Sequence, residues 1–224
     1  MRVSVPAAVL AACFSFVAAG AFAQSAAPGG PDSGRPLDPL ERSERPESSA
    51  PKQQERVGEE AREQADERLD TLFQRLAEAD TSSRAERIAA NIQRRLLRSG
   101  SPTIDLLMTQ SAKAIDEKAF GVALDLLDAV IRLKPDFAEG WNRRATVYFI
   151  REDFGASLAD IERVLQLEPR HWGALSGLAM ILVQIDRDED ALAAIDGALA
   201  VHPHLEELKE QRRKLGLRAG GSDI

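Results

Sequence analysis

Three prolines set the frame of this chain. Pro135, Pro169 and Pro203 stand 34 residues apart, and each follows by two an aliphatic residue: Leu133, Leu167 and Val201. Counting back from them gives the units 104–137, 138–171 and 172–205. Other sites keep the same period. Position 20 holds Ala123, Ser157 and Ala191, and position 24 holds Leu127, Ile161 and Ile195. Position 27 holds Val130, Val164 and Ala198, and Phe120 and Phe154 share position 17. One proline, one small residue and several apolar sites at a common spacing define a repeat. A unit of this length buries its apolar face only by stacking on its neighbours. The apolar spacing is helical from residue 57 onward, and no sustained period-two alternation marks a strand.

Unit two carries the fullest pattern: Trp141 at position 4, Ala145 at 8, Tyr148 at 11, Phe154 at 17 and Pro169 at 32. With Pro135 and Pro203 in register, this resembles the tetratricopeptide repeat over residues 104–205. The resemblance implies an all-α, right-handed solenoid of three helix-turn-helix repeats with flanking capping helices. Small residues at positions 8 and 20 let two helices approach, and large ones at 4, 11, 17 and 24 fill the space beside them. Proline cannot continue a helix interior, so it resets the chain between units. Asp136 is expected to cap the helix that follows. Position 7, usually large and apolar in this family, is Gln110, Arg144 and Leu178. The expectation for Arg144 is an ion pair with Asp128 or Asp160, the alternative being a guanidinium that snorkels to water.

Residues 57–100 read as a helical pair, either a degenerate fourth repeat or a cap. Ala65, Leu69, Leu72, Phe73 and Leu76 share one face, and Ile88, Ile92 and Leu96 share another. Ser83 and Glu86 form a capping-box pattern, and Ser101-Pro102 opens the next helix. At the other end, 206–217 reads as a capping helix with Leu208 and Leu215 on its apolar side, and 218–224 as a frayed tail.

The first 23 residues read as a signal peptide: Arg2, an apolar run from Val5 to Ala19, then Ala21-Phe22-Ala23 before Gln24. The alternatives are an uncleaved membrane tether and lipidation at Cys13, since Leu10-Ala11-Ala12-Cys13 resembles a lipobox. Removal of 1–23 takes away the only Cys and, among charged residues, only Arg2, so the net charge of −7 deepens by one. Residues 24–56 hold six of the eleven prolines with almost no aliphatic side chains. That composition buries too little surface to offset ordering entropy, and reads as a disordered linker. The expected location is the periplasm, with no membrane span after signal cleavage.

Composition narrows the chemistry. An acidic chain is a poor nucleic-acid binder, because phosphate contacts need a basic surface. A single Cys makes no internal disulfide and no Cys-rich zinc site. His171, His202 and His204 are the only imidazoles, and His202-Pro203-His204 has no supporting Cys. No glycine-rich loop follows a strand, and no nucleophile elbow is present. No catalytic residue, metal site or cofactor is therefore expected. Asp186, Asp188, Glu189 and Asp190 read as the acidic start of a helix. The arginines at 84, 87, 94, 95 and 98 read as a solvated face, with anionic lipid or an acidic partner as the alternative. Trp141 is expected in the core. Trp172 is expected either at the junction of units two and three or exposed for a partner.

In the resembled family the first helix of each unit lines a concave groove and contacts ligand mainly from positions 2, 5, 6, 9, 12 and 13. Carried onto this chain, those positions give Asp105 and Met108 in unit one, Glu139, Asn142, Arg143, Thr146 and Phe149 in unit two, and Ser176, Met180 and Gln184 in unit three. The Lys and Asn pattern with which some members clamp a C-terminal carboxylate is missing. The resemblance implies an exported, non-catalytic scaffold or assembly factor that binds a peptide or protein in that groove. The alternatives are a structural or self-associating subunit of a cell-envelope complex, with 58–98 as its docking surface, and an accessory subunit of an envelope enzyme.

Overall fold

The computed structural model describes residues 68–220. The expected signal peptide, the Pro-rich linker, residues 57–67 with Ala65, and 221–224 lie outside the described residues. Within them there are nine helices and no strand. Helix α1 spans 68–77. It is followed by α2 (Ser82–Leu96), α3 (Pro102–Asp116), α4 (Phe120–Leu133), α5 (Ala138–Ile150) and α6 (Phe154–Leu167). Then come α7 (Trp172–Gln184), α8 (Asp188–Val201) and α9 (Glu206–Gly220). The pairs α3–α4, α5–α6 and α7–α8 are the three expected units, packed most extensively within each pair, and α9 packs on α8.

The pairs close at small residues. Position 8 is Ser111, Ala145 and Ala179, and position 20 is Ala123, Ser157 and Ala191; none of the six is more than 2% exposed. The two serines keep their hydroxyls satisfied on the main chain. Ser157 Oγ donates to the Ala145 carbonyl across the pair at 2.8 Å, and Ser111 Oγ donates to the Met108 carbonyl at 2.8 Å. A polar group buried this way carries no desolvation penalty. Leu127, Ile161 and Ile195 fill position 24, and Val130, Val164 and Ala198 fill position 27, all buried.

Each pair turns on the same backbone device. Lys118, Glu152 and Asp186, all at position 15, have φ of 58°, 60° and 57°. The next residue's N–H reaches back five residues: Ala119 to the Ala114 carbonyl, Asp153 to Tyr148 and Arg187 to Leu182, at 2.8–2.9 Å. These are Schellman closures, which glycine usually makes. Here a side chain occupies the left-handed region three times.

Units stack through position 3. A Cβ on Gly140 would stand 2.8 Å from Val130 Cγ1 in α4, so α5 sits against the preceding unit with no room for a methyl group. Ala174, its counterpart in unit three, is buried. The counterpart in unit one is Leu106, which is 59% exposed, and among the described residues no unit stacks before it.

Arg144 ties the junction of units one and two. Its Nε and Nη2 donate to the Asp160 carboxylate at 2.8 and 2.7 Å, and its Nη1 to Asp128 at 2.6 Å. Both acids expected from the sequence are engaged at once. The hydrogen bonds from Asp160 foremost, then those from Asp128, raise the guanidinium pKa against the opposing effect of burial. The guanidinium also lies 5.0 Å from the Trp141 ring and 5.8 Å from that of Tyr148. Trp141 is only half-buried, and its indole N–H donates to the Pro135 carbonyl at 3.0 Å.

The N-terminal pair does not stack in front of unit one. Leu72, Phe73 and Leu76 of α1 and Ala85, Ile88, Ala89 and Ile92 of α2 join one apolar cluster with Trp172, Leu182 and Leu208. Phe73 meets Trp172 edge-on at 6.0 Å, and Trp172 meets His202 edge-on at 5.7 Å. The Arg170 guanidinium lies 4.2 Å over Phe73 and pairs with Asp70 at 2.6 Å and Glu168 at 2.9 Å. His204 donates from Nε2 to the Ala79 carbonyl at 2.7 Å, and its Nδ1 is 3.2 Å from the Ser82 hydroxyl. The pair thus docks on the turns before α7 and before α9. Trp172 is at a junction, buried. Burial holds the His202 pKa down to about 4, helped by repulsion from His204 and opposed by a backbone hydrogen bond, so the ring packs as a neutral group.

Two capping expectations are corrected. Thr81, not Ser83, caps α2: its Oγ1 accepts from the Arg84 N–H at 3.3 Å. Asp136 pairs with Lys134 and leaves Phe137 as the uncapped start of α5. The Asp188, Glu189 and Asp190 carboxylates do open α8, where Arg187 pairs with Asp190 and Arg218 with Asp188.

The position-15 turns predict a gain in stability. Replacing Lys118 and Glu152 by glycine should raise stability by up to about 1 kcal/mol each, because glycine takes φ near 60° without steric cost. Urea unfolding of the two single variants and the double variant measures this. Destabilisation by either would refute the turn assignment.

Candidate functional site

Helices α3, α5 and α7 are the first helices of the three units and carry the residues assigned to a groove. Their geometry separates those residues into two sets. The first set is engaged within the protein. Asp105 accepts from the Ser99 hydroxyl at 2.5 Å and fixes the entry to α3. Met108 is buried, and its carbonyl accepts from Arg143 Nη1 at 2.8 Å, joining α5 to α3. Ser176 is buried, and its hydroxyl donates to the Trp172 carbonyl at 2.7 Å.

Glu139 belongs to this set too. It is buried, with Oε1 3.1 Å from His171 Nε2 and Oε2 3.2 Å from Asn142 Nδ2. His171 Nδ1 accepts from the Ala174 N–H at 3.0 Å as the N-cap of α7. The proton of the neutral ring is therefore on Nε2, which donates to the carboxylate. Burial pushes the Glu139 pKa up, but His171, Asn142 and Arg143 outweigh it and leave the carboxyl below its usual range. Burial lowers the Arg143 pKa, with Glu139 and Asp116 opposing. The arrangement is a buried charge network that locks α5 to α7 and to α3.

The second set has side chains still reachable from solvent. Thr146 is half-buried, with its hydroxyl on the Asn142 carbonyl at 2.9 Å. Phe149 is half-buried and 5.8 Å from Phe154. Met180 is half-buried, and Gln184 is exposed. Between α5 and α7 a crevice is lined by Asn142, Ala145, Phe149, Gly173, Gly177 and Ile181, with no room for a water molecule. Gly173 and Gly177 contribute no side chain there, and Gly177 is buried. Both stand at groove positions, and the sequence reading passed over them because they offer no side chain.

His202 packs on Trp172, and His204 holds the N-terminal pair, so the two rings do not converge. Among the described residues no group of three or more His, Cys, Asp or Glu is placed to hold a metal ion. Among the same residues no helix is long and apolar enough to cross a membrane.

The buried network makes a prediction. His171→Ala strands the Glu139 carboxylate inside the protein and should cost about 2–3 kcal/mol. Glu139→Gln keeps one acceptor, for His171, lets the Asn142 amide turn to accept from the new NH2, and should cost less. Chemical denaturation of the two variants checks the order. Equal, small losses would place Glu139 in contact with solvent.

No family profile matches the chain. Over 156 residues, 70% of its length, it is 44% identical to a TPR repeat-containing protein of Rhizobium etli, 76% of which is covered. Among solved structures, the first TPR domain of Spaghetti (RPAP3), bound to the HSP90 peptide SRMEEVD, aligns with a TM-score of 0.51 at 18% identity. That alignment covers 54% of this chain and 95% of that domain. The TPR2B domain of yeast Sti1, in complex with an Hsp70 peptide, aligns at 0.49 with 16% identity, covering 53% and 99%. Three stacked helix pairs, small residues at positions 8 and 20, and the Rhizobium relative agree: the chain belongs to the tetratricopeptide repeat-containing proteins.

Proposed function

We propose that this protein is a non-catalytic binding scaffold that takes a peptide or protein segment along α3, α5 and α7. The observation that supports this most directly is the division of the groove residues. Glu139, Arg143 and Met108 hold the first helices in register, and Thr146, Phe149, Met180 and Gln184 keep part of their side chains exposed on the same helices. A fixed wall with a few apolar and hydrogen-bonding side chains suits an extended segment, whose entropy of ordering is the main cost of binding. The two structural neighbours hold HSP90 and Hsp70 peptides. The groove positions of this chain offer no lysine, so an internal segment is the better candidate than a C-terminal carboxylate.

The leader reading of residues 1–23 supports an exported, periplasmic location for this scaffold. A second reading, a self-associating or structural subunit of an envelope complex, draws on unit one. Leu106, Val122 and Leu133 are 59%, 55% and 62% exposed there.

Photo-crosslinking in the native host discriminates these readings. A crosslinker at Met180 or Gln184 should capture a partner that a crosslinker at Asp125 or Ala193, on second helices, does not. Capture from the second helices alone would refute the groove, and capture of the same chain through Leu106 would establish the second reading.

A further inference from the structure

The N-terminal pair carries a feature that the groove does not use. Between α1 and α2 lies an open hollow of about 520 Å³ lined by Leu72, Arg75, Arg84, Arg87, Ile88 and Asn91. Leu72 and Ile88 are buried and form its floor, while Arg75, Arg84 and Arg87 are exposed at its rim. No acidic residue lines it. Arg84 has one ion pair, a stretched 3.4 Å contact with Asp80 that is open to solvent on both sides. Arg75 and Arg87 have no ion-pair or hydrogen-bond partner among the described residues. The first turn of α2 has no acid either, although α8 and α9 open on two or three. Arg84, Arg87, Asn91 and Arg94 recur at helical spacing, so the positive face runs about 15 Å along α2. Arg95 turns aside, its Nε donating to the side-chain Oδ1 of Asn91 at 3.5 Å.

This concentration stands out in a chain whose net charge is −7. Arg75 and Arg87, unpaired among the described residues, and the weakly paired Arg84 surround an apolar floor and favour carboxylates, which guanidiniums grip in a planar fork. The site is concave, so it suits a projecting chain better than a flat membrane. Its length exceeds what one phosphate can span. We propose that the hollow and the α2 face bind an acidic segment of a partner protein, by residues wholly different from those of the groove.

The test uses the full chain and defined probes. Fluorescence anisotropy would measure binding of a short glutamate-rich peptide, with a glutamine-rich peptide of equal length as control. Inorganic phosphate and phosphatidylglycerol vesicles are the competing anions. The account expects the acidic peptide alone to bind, more weakly as salt rises. Arg75→Gln with Arg87→Gln should weaken it roughly tenfold. Arg132→Gln with Arg151→Gln, exposed arginines elsewhere, should leave it unchanged. These four side chains hold nothing in place, so folding is preserved in both variants. Absence of peptide binding, equal loss in the control variant, or binding of vesicles or phosphate in place of peptide would each overturn the proposal.

Discussion

Everything in this solenoid rests on the close approach of paired helices at positions 8 and 20. Six small residues, none more than 2% exposed, set that distance in all three units. A larger side chain at any of them forces the pair apart, and interiors at native density absorb such a change poorly. The serines at 111 and 157 show how narrow the tolerance is. Each adds one oxygen to the contact and turns it onto a main-chain carbonyl. Once the pairs are closed, positions 24 and 27 fall into register, and the units can stack.

Stacking is handled differently at each end. Between units, Gly140 and Ala174 give close contact at position 3, and the Arg144 and Glu139–His171 networks fix the angle. At the front, no unit stacks before Leu106 among the described residues. At the back, the chain folds α1 and α2 onto the turns before α7 and α9, where Phe73, Trp172 and His202 meet edge-on and His204 reaches two groups of the N-terminal pair. Terminal units of a repeat array need shielding. Here α9 and the N-terminal pair both provide it at the same end.

The repeat frame was legible because periodic proline and small residues have a direct structural cause. Arg144 was legible because a charge at an apolar position needs an acid within reach, and the period placed Asp128 and Asp160 there. The turns were not. Lys118, Glu152 and Asp186 adopt positive φ without the glycine that signals it, held by the helix ends around them. Caps were misplaced by residue type, since Thr81 competes with Ser83 and only the fold decides between them. The docking of α1 and α2 was hidden for a different reason: its partners lie about 100 residues away, as Asp70 and Arg170 do, outside any local pattern. The groove positions taken from the family divide into side chains bonded within the protein and side chains that keep some exposure. Period locates a residue on a face, but it does not tell whether that side chain is already bonded inward, as those of Glu139 and Ser176 are.

The described chain is a three-unit tetratricopeptide stack, clasped at its last unit by its own N-terminal helices. Hydrogen exchange on the full chain carrying Phe73→Ala tests that arrangement most directly. Removing the ring that meets Trp172 should lower protection in α1, α2 and the turns before α7 and α9, and leave α3 and α4 as protected as before. Loss of protection centred on α3, with the turns before α7 and α9 unaffected, would mean that the N-terminal pair stacks as a fourth repeat and would contradict it.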